Sequence, residues 1–369
     1  MSLEASSVSG SLKKITTRGA QQRAAPAGLT TPPLVAELLQ ECRLQVLAAM
    51  KPYLAPGEPS PYLYELAADY PRRGGKMMRP SICIATARAF GARSSDAVRS
   101  AVAIELLHNA FLVHDDIEDE SEMRRGAPAL HSLHGVPLAL NAGDAMLLLS
   151  LRPLLDNRQN LGSQLALDVL LDTERMARES AEGQAMELGW RRDNVMELED
   201  DDYFTMVLKK TSWLAVIYPM RVGAMIGTRG CADLDQFIRF GFFLGAAFQI
   251  QDDLLNLAAD HRYGKEALGD LFEGKRTLML IHAFRRGTPA ERAKLKIILG
   301  ASRSERRADD VVWIRSLMER HDSLNYARKI GHGLAGAALH EFAGIFGRLP
   351  ASRDKDFLRG LVTWIFERT

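Results

Sequence analysis

Apolar residues recur at three- and four-residue intervals in long blocks, and the alternating pattern of β-strands is nearly absent. This periodicity predicts helices at roughly 33–54, 77–91, 95–119, 137–156, 162–189, 198–228, 232–259, 275–286, 289–299, 304–320, 322–347 and 351–368. Prolines and glycines predict breaks at 56–61, 71–75, 126–128, 135–137 and 287–289. Stretches such as FIRFGFFLGAAFQIQ are apolar almost all round, which is typical of helices in the middle of a bundle.

The helical pattern continues without an internal low-complexity linker or a repeat of solenoid period. We therefore predict one all-α domain over residues 33–369, built as a single helical bundle. Residues 1–32 are rich in Ser, Ala, Arg and Gly and lack the apolar core of a secretory signal. We expect them to form a flexible N-terminal extension.

Composition narrows the classes of function. Hydrophobic residues make up 47% of the 369 residues, and the formal net charge of +1 gives no bulk attraction to nucleic acid or anionic lipid. Cys42, Cys83 and Cys231 lack metal-type spacing and give no disulfide framework. We expect no apolar run to reach the length needed to span a bilayer. These features favour a cytoplasmic soluble protein without stable membrane insertion.

The stretch LLHNAFLVHDDIEDE begins as an apolar helix and ends in a block of carboxylates. Asp115, Asp116 and Asp119 form D-D-x-x-D, in which positions i and i+4 share one helix face. Like charges at this spacing destabilise a helix by about 0.2–0.5 kcal/mol unless a cation lies between them. A hard cation such as Mg²⁺ would serve. A single motif of this kind is as often a solvated acidic helix end.

A second acidic site repeats the arrangement. In FQIQDDLLN, Asp252 and Asp253 follow an apolar helix, and Asn256 supplies a polar oxygen donor. Two isolated Asp pairs that each follow a buried-looking helix are poorly explained as ordinary solvent-exposed surface residues. If the two helices are antiparallel, both clusters can face one cavity mouth, which is how metal sites are built in helical bundles.

Basic residues lie in separate segments of the chain. They are Lys76 and Arg79 in GGKMMRP, Arg124 and Arg125 in MRRGAP, Lys209 and Lys210 in LKKTSW, and Lys265 and Lys275 in YGKEALGDLFEGKRT. Each alone is most simply a solvated surface base. No GxxxxGK[ST] or GxGxxG motif is present, so neither a P-loop nor a dinucleotide-binding fold is indicated. Together with the acidic clusters, these bases indicate a polyanionic ligand, most simply a diphosphate.

At these residues the chain resembles the trans-prenyl diphosphate synthases, over a stretch from about Pro33 to Thr369. The motifs occur in the family's order: GKxxRP, DDxxD followed by RRG, the Gly183–Gln184 pair, the Lys210–Thr211 pair, and FQxxDD with Gly–Lys pairs downstream. Glu187 stands where Asp often follows the Gly–Gln pair, and Asn256 stands where many members have Asp. An Asn there resembles some geranylgeranyl diphosphate synthases. The resemblance implies the isoprenoid synthase bundle with a central cavity, and a homodimer.

The resemblance also implies a reaction. An allylic diphosphate would lose its diphosphate, the double bond of isopentenyl diphosphate would attack the carbocation, and a proton would leave. Because charge separates in this reaction, catalysis would consist mainly of electrostatic stabilisation. By family analogy, three Mg²⁺ ions would bind the departing diphosphate. Their implied ligands are Asp115, Asp119 and Asp252, assisted by Asp116, Asp253 and Asn256.

The other site residues take their implied roles from the same resemblance. Arg124, Lys210 and Lys265 would bind the allylic diphosphate, with Lys275 as a further substrate-binding base. The implied site for isopentenyl diphosphate comprises Gly75, Lys76, Arg79, His108 and Arg125. A core histidine satisfied by a carbonyl is the alternative for His108. Lys210, Thr211 and Gln249 are the candidate catalytic residues, since the last two offer neutral dipoles that stabilise a carbocation.

The residues before Asp115 bear on product length. A helix rises about 1.5 Å per residue, so one turn upstream lies about 6 Å deeper in a channel for the growing chain. Family members that stop at fifteen carbons often have aromatics here, especially at the fifth position upstream, which is Ala110 in this chain. We expect this small residue to open a slot floored by Phe111, Leu107 or neighbouring helices. The predicted product is geranylgeranyl diphosphate, with farnesyl diphosphate as the alternative.

Two other functions compete with this interpretation. A class I terpene cyclase also uses an all-α fold and DDxxD, and DDLLNLAAD spaces Asp252, Asn256 and Asp260 rather like a cyclase's second metal motif. A second diphosphate site around Lys76 and Arg79 argues against a one-substrate cyclase. A non-catalytic subunit with the same fold is the other alternative, but this chain keeps nearly all the acidic and basic motif residues.

Overall fold

The computed structural model describes residues 31–258 and 268–367. Its α-helices are α1 Pro33–Met50, α2 Glu65–Arg73, α3 Met78–Ala89, α4 Ser94–Glu118, α5 Leu130–His134, α6 Val136–Asp156, α7 Arg158–Leu161, α8 Ser163–Arg192, α9 Asp200–Val207, α10 Tyr218–Gly227, α11 Gln236–Leu257, α12 Gly269–Glu273, α13 Leu278–Arg286, α14 Pro289–Gly300, α15 Ala308–Arg320, α16 Ser323–Phe346 and α17 Arg353–Glu367. Two π-helical segments, a 3₁₀ turn and a short hairpin complete the described elements: Ser60–Tyr64, Leu208–Ile217, Arg303–Glu305, β1 Met123–Arg124 and β2 Ala127–Pro128.

The prediction of an all-α fold is confirmed by these elements. The sequence pattern missed the helical stretch Ser60–Arg73, because its prolines indicated breaks. Pro61 lies in the first turn of this stretch, where a helix needs no N–H donor, and Pro71 lies near its end. The predicted extension over residues 1–32 lies almost wholly outside the described residues, as do Asp260 and Lys265.

The core is built around α11, which is buried on most of its faces as predicted. Its Phe237 and Phe240 meet Phe346 and Phe342 of α16, with ring centroids 6.3 Å and 6.1 Å apart. Such tilted and edge-on pairs add about 0.5–1.5 kcal/mol each beyond the burial of their area. This packing fixes the helix whose C-terminal end carries the second acidic cluster.

Helix α6 has an uncovered apolar face. The segment Val136–Leu161 is long and apolar enough, by length and composition, to cross a membrane, so the expectation that no apolar run reaches that length is wrong. A bundle helix of a soluble protein passes the same test when it is apolar. Here α6 packs along α4 and leaves Leu148 and Leu155 on its outer face, 70% and 55% exposed.

Candidate active site

A cavity of about 920 Å³ lies inside the bundle. Its walls come from α4, α8, α9, α11 and the π-helical segment Leu208–Ile217, and from the loops before α3 and α13. Asp115, Asp252 and Asp253 reach it from two helices, and Phe111 and Leu214 are among its apolar lining residues. The two acidic clusters therefore meet at one cavity, whose size suits a small-molecule ligand.

The three aspartates of the first cluster have different surroundings. Asp115 lines the cavity and is contacted by Arg124 Nη2 at 3.3 Å and Lys210 Nζ at 3.5 Å. Asp116 is buried, and its carboxylate accepts hydrogen bonds from Tyr70 Oη at 2.6 Å and Arg124 Nε at 2.9 Å. Asp116 is therefore a buried support for Arg124, away from the cavity lining.

Asp119, the C-cap of α4, was expected to share the face of Asp115. Its backbone N–H donates to the carbonyl of Asp115 at 2.9 Å, so the helical repeat continues to this residue, but Asp119 is not among the residues that line the cavity. Its buried carboxylate is bound instead by Lys275 Nζ at 2.7 Å and by Arg191. Burial opposes ionisation, but Lys275 and the other nearby cations outweigh it and lower the pKa of Asp119. Asp119 is thus an ionised, paired carboxylate beneath the cavity wall.

The second cluster is also divided. Asp252 and Asp253 line the cavity, and Asp253 accepts hydrogen bonds from Tyr203 Oη at 3.0 Å and Gln249 Nε2 at 2.7 Å. Burial, together with the nearby Asp270 carboxylate, raises the pKa of Asp253 to about 8. Carboxylates crowded in this way would bind a cation strongly, because the cation relieves their mutual repulsion.

Asn256 was predicted as an oxygen donor for a metal, and its position corrects that prediction. The residue is buried, and its Oδ1 accepts the backbone N–H of Asp270 at 3.2 Å. It lies in the last turn of α11. The side chain therefore holds the start of α12, and Asp270 of that helix lines the cavity.

The candidate catalytic residues lie together on the cavity wall. Lys210 contacts Asp115 and forms an ion pair with Glu187. Burial alone would lower the pKa of Lys210, but Glu187 and Asp115 raise it, so the ammonium stays charged. Thr211 Oγ1 donates to Gln249 Oε1 at 2.8 Å, and Gln249 Nε2 donates to Asp253. This chain of hydrogen bonds fixes which end of the Gln249 amide is the acceptor.

A second basic group lines another part of the cavity. Gly75, Lys76, Arg79, His108 and Arg125 all contribute to it. Arg79 Nη1 lies 3.2 Å from His108 Nε2, and because a guanidinium has no acceptor, Nε2 must accept this hydrogen bond. Burial, and then the charges of Arg79 and Arg125, lower the pKa of His108 well below its ordinary value. His108 is therefore a neutral acceptor that orients Arg79.

The helix that the sequence pattern missed positions the basic hairpin. Arg125 Nη1 donates to the carbonyl of Tyr70 at 2.6 Å and to Asn109 Oδ1 at 3.1 Å. Arg73 Nη1 donates to the carbonyls of Arg124 and Pro128 at 3.1 Å and 2.8 Å. Helix α2 thus holds both arginines of the RRG motif against the cavity.

The predicted site residues include Lys275 but neither Glu105 nor Asp270. Lys275 Nζ lies 2.7 Å from Glu273 and 3.6 Å from Asp270, so it sits among carboxylates at the cavity wall. Glu105 is 2% exposed, lines the cavity and is charge-coupled to Arg125 and Arg79. A lone Glu inside an apolar helix was the available signal for it. Asp270 carries no comparable signal.

Ala110 also requires a correction. It is fully buried and packs with Tyr70, Val113 and Met146, whereas Phe111 lines the cavity. Helix positions turn by about 100° per residue, so Phe111, four residues before Asp115, lies only about 40° from it. Ala110 lies about 140° round, on the far side of α4. The prediction considered depth along the helix and neglected this rotation.

The donor set bears on whether a metal fits. No group of three or more His, Cys, Asp or Glu residues suited to hold a metal occurs among the described residues. Asp115 and Asp252 nevertheless present hard carboxylate oxygens to the same cavity. This suits Mg²⁺, which usually takes one or two carboxylates and completes its shell with phosphate oxygens and water.

Comparison with known proteins now decides the family. Residues 60–317 match the family model described as polyprenyl synthetase. The chain belongs to the polyprenyl synthetase family. All predicted site residues, from Gly75 to Lys275, fall within the matched range.

Relatives of this polyprenyl synthetase agree with that assignment. The chain is 33% identical to the short chain isoprenyl diphosphate synthase of Methanothermobacter thermautotrophicus, over 70% of this chain and 76% of the relative. It is 34% identical to the geranylgeranyl pyrophosphate synthase of Geoglobus acetivorans, over 70% and 79% of the two chains. The crystal structure of geranylgeranyl pyrophosphate synthetase from Pyrococcus horikoshii superposes with a TM-score of 0.79 at 30% identity, covering 91% of this chain and 98% of the other.

Proposed function

We propose that this polyprenyl synthetase is a Mg²⁺-dependent trans-prenyltransferase. It condenses isopentenyl diphosphate with an allylic diphosphate and releases a short-chain trans-prenyl diphosphate. The observation that carries this proposal is that one cavity is lined by acidic residues, by basic residues and by apolar side chains. Asp115 and Asp252 form a first group of these charged residues, and Lys76, Arg79 and Arg125 form a second. Two diphosphate sites suit a two-substrate condensation better than a cyclase, which has one substrate.

The first group binds the allylic diphosphate. Asp115 and Asp252 would hold Mg²⁺, three ions by family analogy, which when bound neutralises the charge of the departing diphosphate. Lys210 and Lys275 add positive charge at the same wall, and Arg124, held by Asp116, adds more. Lys265 is proposed as a further ligand of this diphosphate. These fixed charges stabilise the leaving group as its bond to carbon breaks.

The second group binds isopentenyl diphosphate. Lys76, Arg79 and Arg125 surround this part of the cavity, together with the backbone at Gly75. His108 stays neutral because of its burial and its neighbouring arginines, so it orients Arg79 without adding charge. Bidentate binding by the two guanidinium groups would fix the diphosphate and point its double bond at the allylic carbon.

The cavity wall between the two groups of charged residues must be compatible with a carbocation. Thr211 and Gln249 present oxygen dipoles there and carry no formal charge. Gln249 is held by Asp253 and Thr211, so its dipole is oriented before the charge develops. The departing diphosphate is the proposed acceptor of the proton that leaves.

The product is proposed to be geranylgeranyl diphosphate, with farnesyl diphosphate as the alternative. The name of the Geoglobus acetivorans relative supports this choice. Phe111, Leu112 and Leu214 line the apolar part of the cavity and would limit the length of the growing chain. Ala110, which does not line the cavity, has no direct part in this proposal.

The enzyme is proposed to act as a homodimer in the cytoplasm. Leu140, Leu148 and Leu155 of α6 are exposed at eight- and seven-residue intervals, and Leu167 and Leu171 of α8 are also exposed. Exposed leucines on one face of a helix suit a protein interface, and a second copy of the chain is the proposed occupant of the α6 face. The free cysteines at positions 42, 83 and 231 suit a reducing compartment.

One incubation tests the function. The purified protein is mixed with Mg²⁺, labelled isopentenyl diphosphate and each of the five-, ten- and fifteen-carbon allylic diphosphates in turn, and the products are separated by chromatography. We expect a twenty-carbon diphosphate whose formation stops when EDTA is added. Hydrocarbon release from farnesyl diphosphate alone would support a terpene cyclase. An absence of any product would support a non-catalytic subunit.

A further inference from the structure

Lys210 and Thr211 lie in an unusual backbone. The segment Leu208–Ile217 is π-helical and joins α9 to α10 without a break. A π-helical turn is wider than an α-helical one, is rare, and occurs frequently at functional sites. The widened backbone must therefore fit between the helices on either side of it, which are α8 and α11.

Helix α8 packs closely against this backbone at Gly183. A Cβ atom added at Gly183 would lie 2.7 Å from Lys210 Cα, and nearer still to the Lys210 backbone nitrogen. Real Cβ atoms do not approach backbone atoms so closely, so only glycine fits at this position. Four residues later, on the same face of α8, Glu187 pairs with the ammonium of Lys210. Helix α8 thus packs against the backbone of Lys210 at Gly183 and binds the side chain of Lys210 through Glu187.

Helix α11 repeats this arrangement on the other side. A Cβ atom at Gly245 would lie 2.7 Å from both Cα and Cβ of Ser212. Four residues later, Gln249 accepts the hydrogen bond of Thr211 Oγ1 at 2.8 Å. Each flanking helix therefore has a glycine against the π-helical backbone and, one turn on, a polar side chain that binds a candidate catalytic residue.

We propose that Gly183 and Gly245 are positioning residues, which set how far the π-helical segment presents Lys210 and Thr211 into the cavity. This inference rests on the proposed function, which assigns those two side chains to the diphosphate and the carbocation. A methyl group at either glycine pushes the segment away from that helix and moves the two side chains. The sites for isopentenyl diphosphate, on α3 and the hairpin, stay in place.

Gly189 provides a matched control in the same helix as Gly183. A Cβ atom added at Gly189 meets nothing within 4 Å, so Gly189→Ala changes α8 without moving the π-helical segment. We expect Gly183→Ala to lower kcat by about tenfold to a hundredfold, the effect of misplacing a catalytic group by about 1 Å. The KM for isopentenyl diphosphate should stay within about twofold of the wild-type value, and Gly189→Ala should resemble the wild type.

A double-mutant cycle separates positioning from general stability. If Gly183 acts through Lys210, then adding Gly183→Ala to Lys210→Ala should slow the enzyme little beyond Lys210→Ala alone. Titration with inorganic diphosphate and Mg²⁺ should show weakened binding for Gly183→Ala and binding like that of the wild type for Gly189→Ala. If the wild-type protein makes no product, the proposed function is overturned. The titration still tests the positioning role, because it does not depend on turnover.

Gly245→Ala is the second variant, in case Gly183→Ala does not fold. It should lower kcat in the same way, with an effect that largely disappears in a Thr211→Val background. Folded variants that keep kcat and diphosphate binding within about twofold of the wild type would overturn the proposal. Failure of both variants to fold would also overturn it, because the glycines would then serve the stability of the bundle alone.

Discussion

Tyr70 Oη donates a hydrogen bond to Asp116 Oδ2, with 2.6 Å between the two oxygens. This bond joins a helix that the sequence pattern missed to the first acidic cluster. Asp116 in turn binds Arg124 through both of its carboxylate oxygens. The orientation of Arg124 at the cavity therefore depends on a residue outside every recognised motif.

Removal of this hydroxyl should affect stability and substrate binding together. Tyr70→Phe should lower the free energy of unfolding by about 1.5–3 kcal/mol, since it removes a buried hydrogen bond to a carboxylate. The KM for the allylic diphosphate should rise as Arg124 loses its fixed orientation. Urea unfolding and steady-state kinetics measure the two effects. Tyr62→Phe is the control, because Tyr62 is 61% exposed, and an equal loss there would contradict the account.

His108 should make the free energy of unfolding depend on pH below neutral pH. Its pKa in the folded protein is well below its ordinary value, because of burial and then Arg79 and Arg125. Below pH ~6.5 His108 therefore binds a proton in the unfolded chain but stays neutral in the folded protein. The free energy of unfolding falls as pH falls through this range. The contribution is about 1.4 kcal/mol for each pH unit below ~6 until the folded pKa is reached.

His108→Gln isolates this contribution. Wild type and variant share all other titrating groups, so the difference between their unfolding free energies should change between pH 8 and pH 5 in favour of the variant. Urea unfolding at several pH values measures it. A difference that is the same at every pH would show that His108 takes up no proton on unfolding in this range, contrary to its burial beside two arginines.

Product length should depend on Phe111 rather than Ala110. Phe111→Ala enlarges the apolar part of the cavity, so the major product should become longer than that of the wild type. Ala110→Phe should instead overpack the cluster around Tyr70 and Met146 and destabilise the fold by about 1–3 kcal/mol. Chromatography of the products and thermal unfolding distinguish the two variants. A shortened product from a stable Ala110→Phe protein would contradict this assignment.

The apolar face of α6 should hold a dimer together. Leu148→Asp places a charge on this face, so the variant should sediment as a monomer where the wild type sediments as a dimer. Ile297→Asp is the control, because Ile297 is 76% exposed on α14, a different helix, and its substitution should leave the assembly unchanged. A wild-type protein that is monomeric in analytical ultracentrifugation would contradict the proposed homodimer.

The sequence allowed most of the fold to be predicted because apolar periodicity is strong in long helices such as α4 and α11. The motifs also predicted that Asp115, Asp252 and Lys76 lie at one site, because family motifs mark residues that face a ligand. The stretch Ser60–Arg73 was missed because prolines near helix ends resemble breaks in a sequence.

The surroundings of Asp119 could not be predicted, because Lys275 and Arg191, which bind its carboxylate, lie far from it in the sequence. The π-helical segment around Lys210 does not follow the period of 3.6 residues on which helix prediction rests. Tyr70 and Asp270 act through contacts between segments distant in sequence, which no local pattern contains.

We propose that the two acidic clusters bind one diphosphate while Arg79 and Arg125 bind a second diphosphate in the same cavity. A crystal structure of the protein with Mg²⁺, isopentenyl diphosphate and a non-reactive allylic diphosphate analogue tests it most directly. We predict metal ions that join Asp115 and Asp252 to the analogue, with isopentenyl diphosphate bound by Arg79 and Arg125. Metal ions bound away from either aspartate, or both diphosphates bound outside this cavity, would contradict the account.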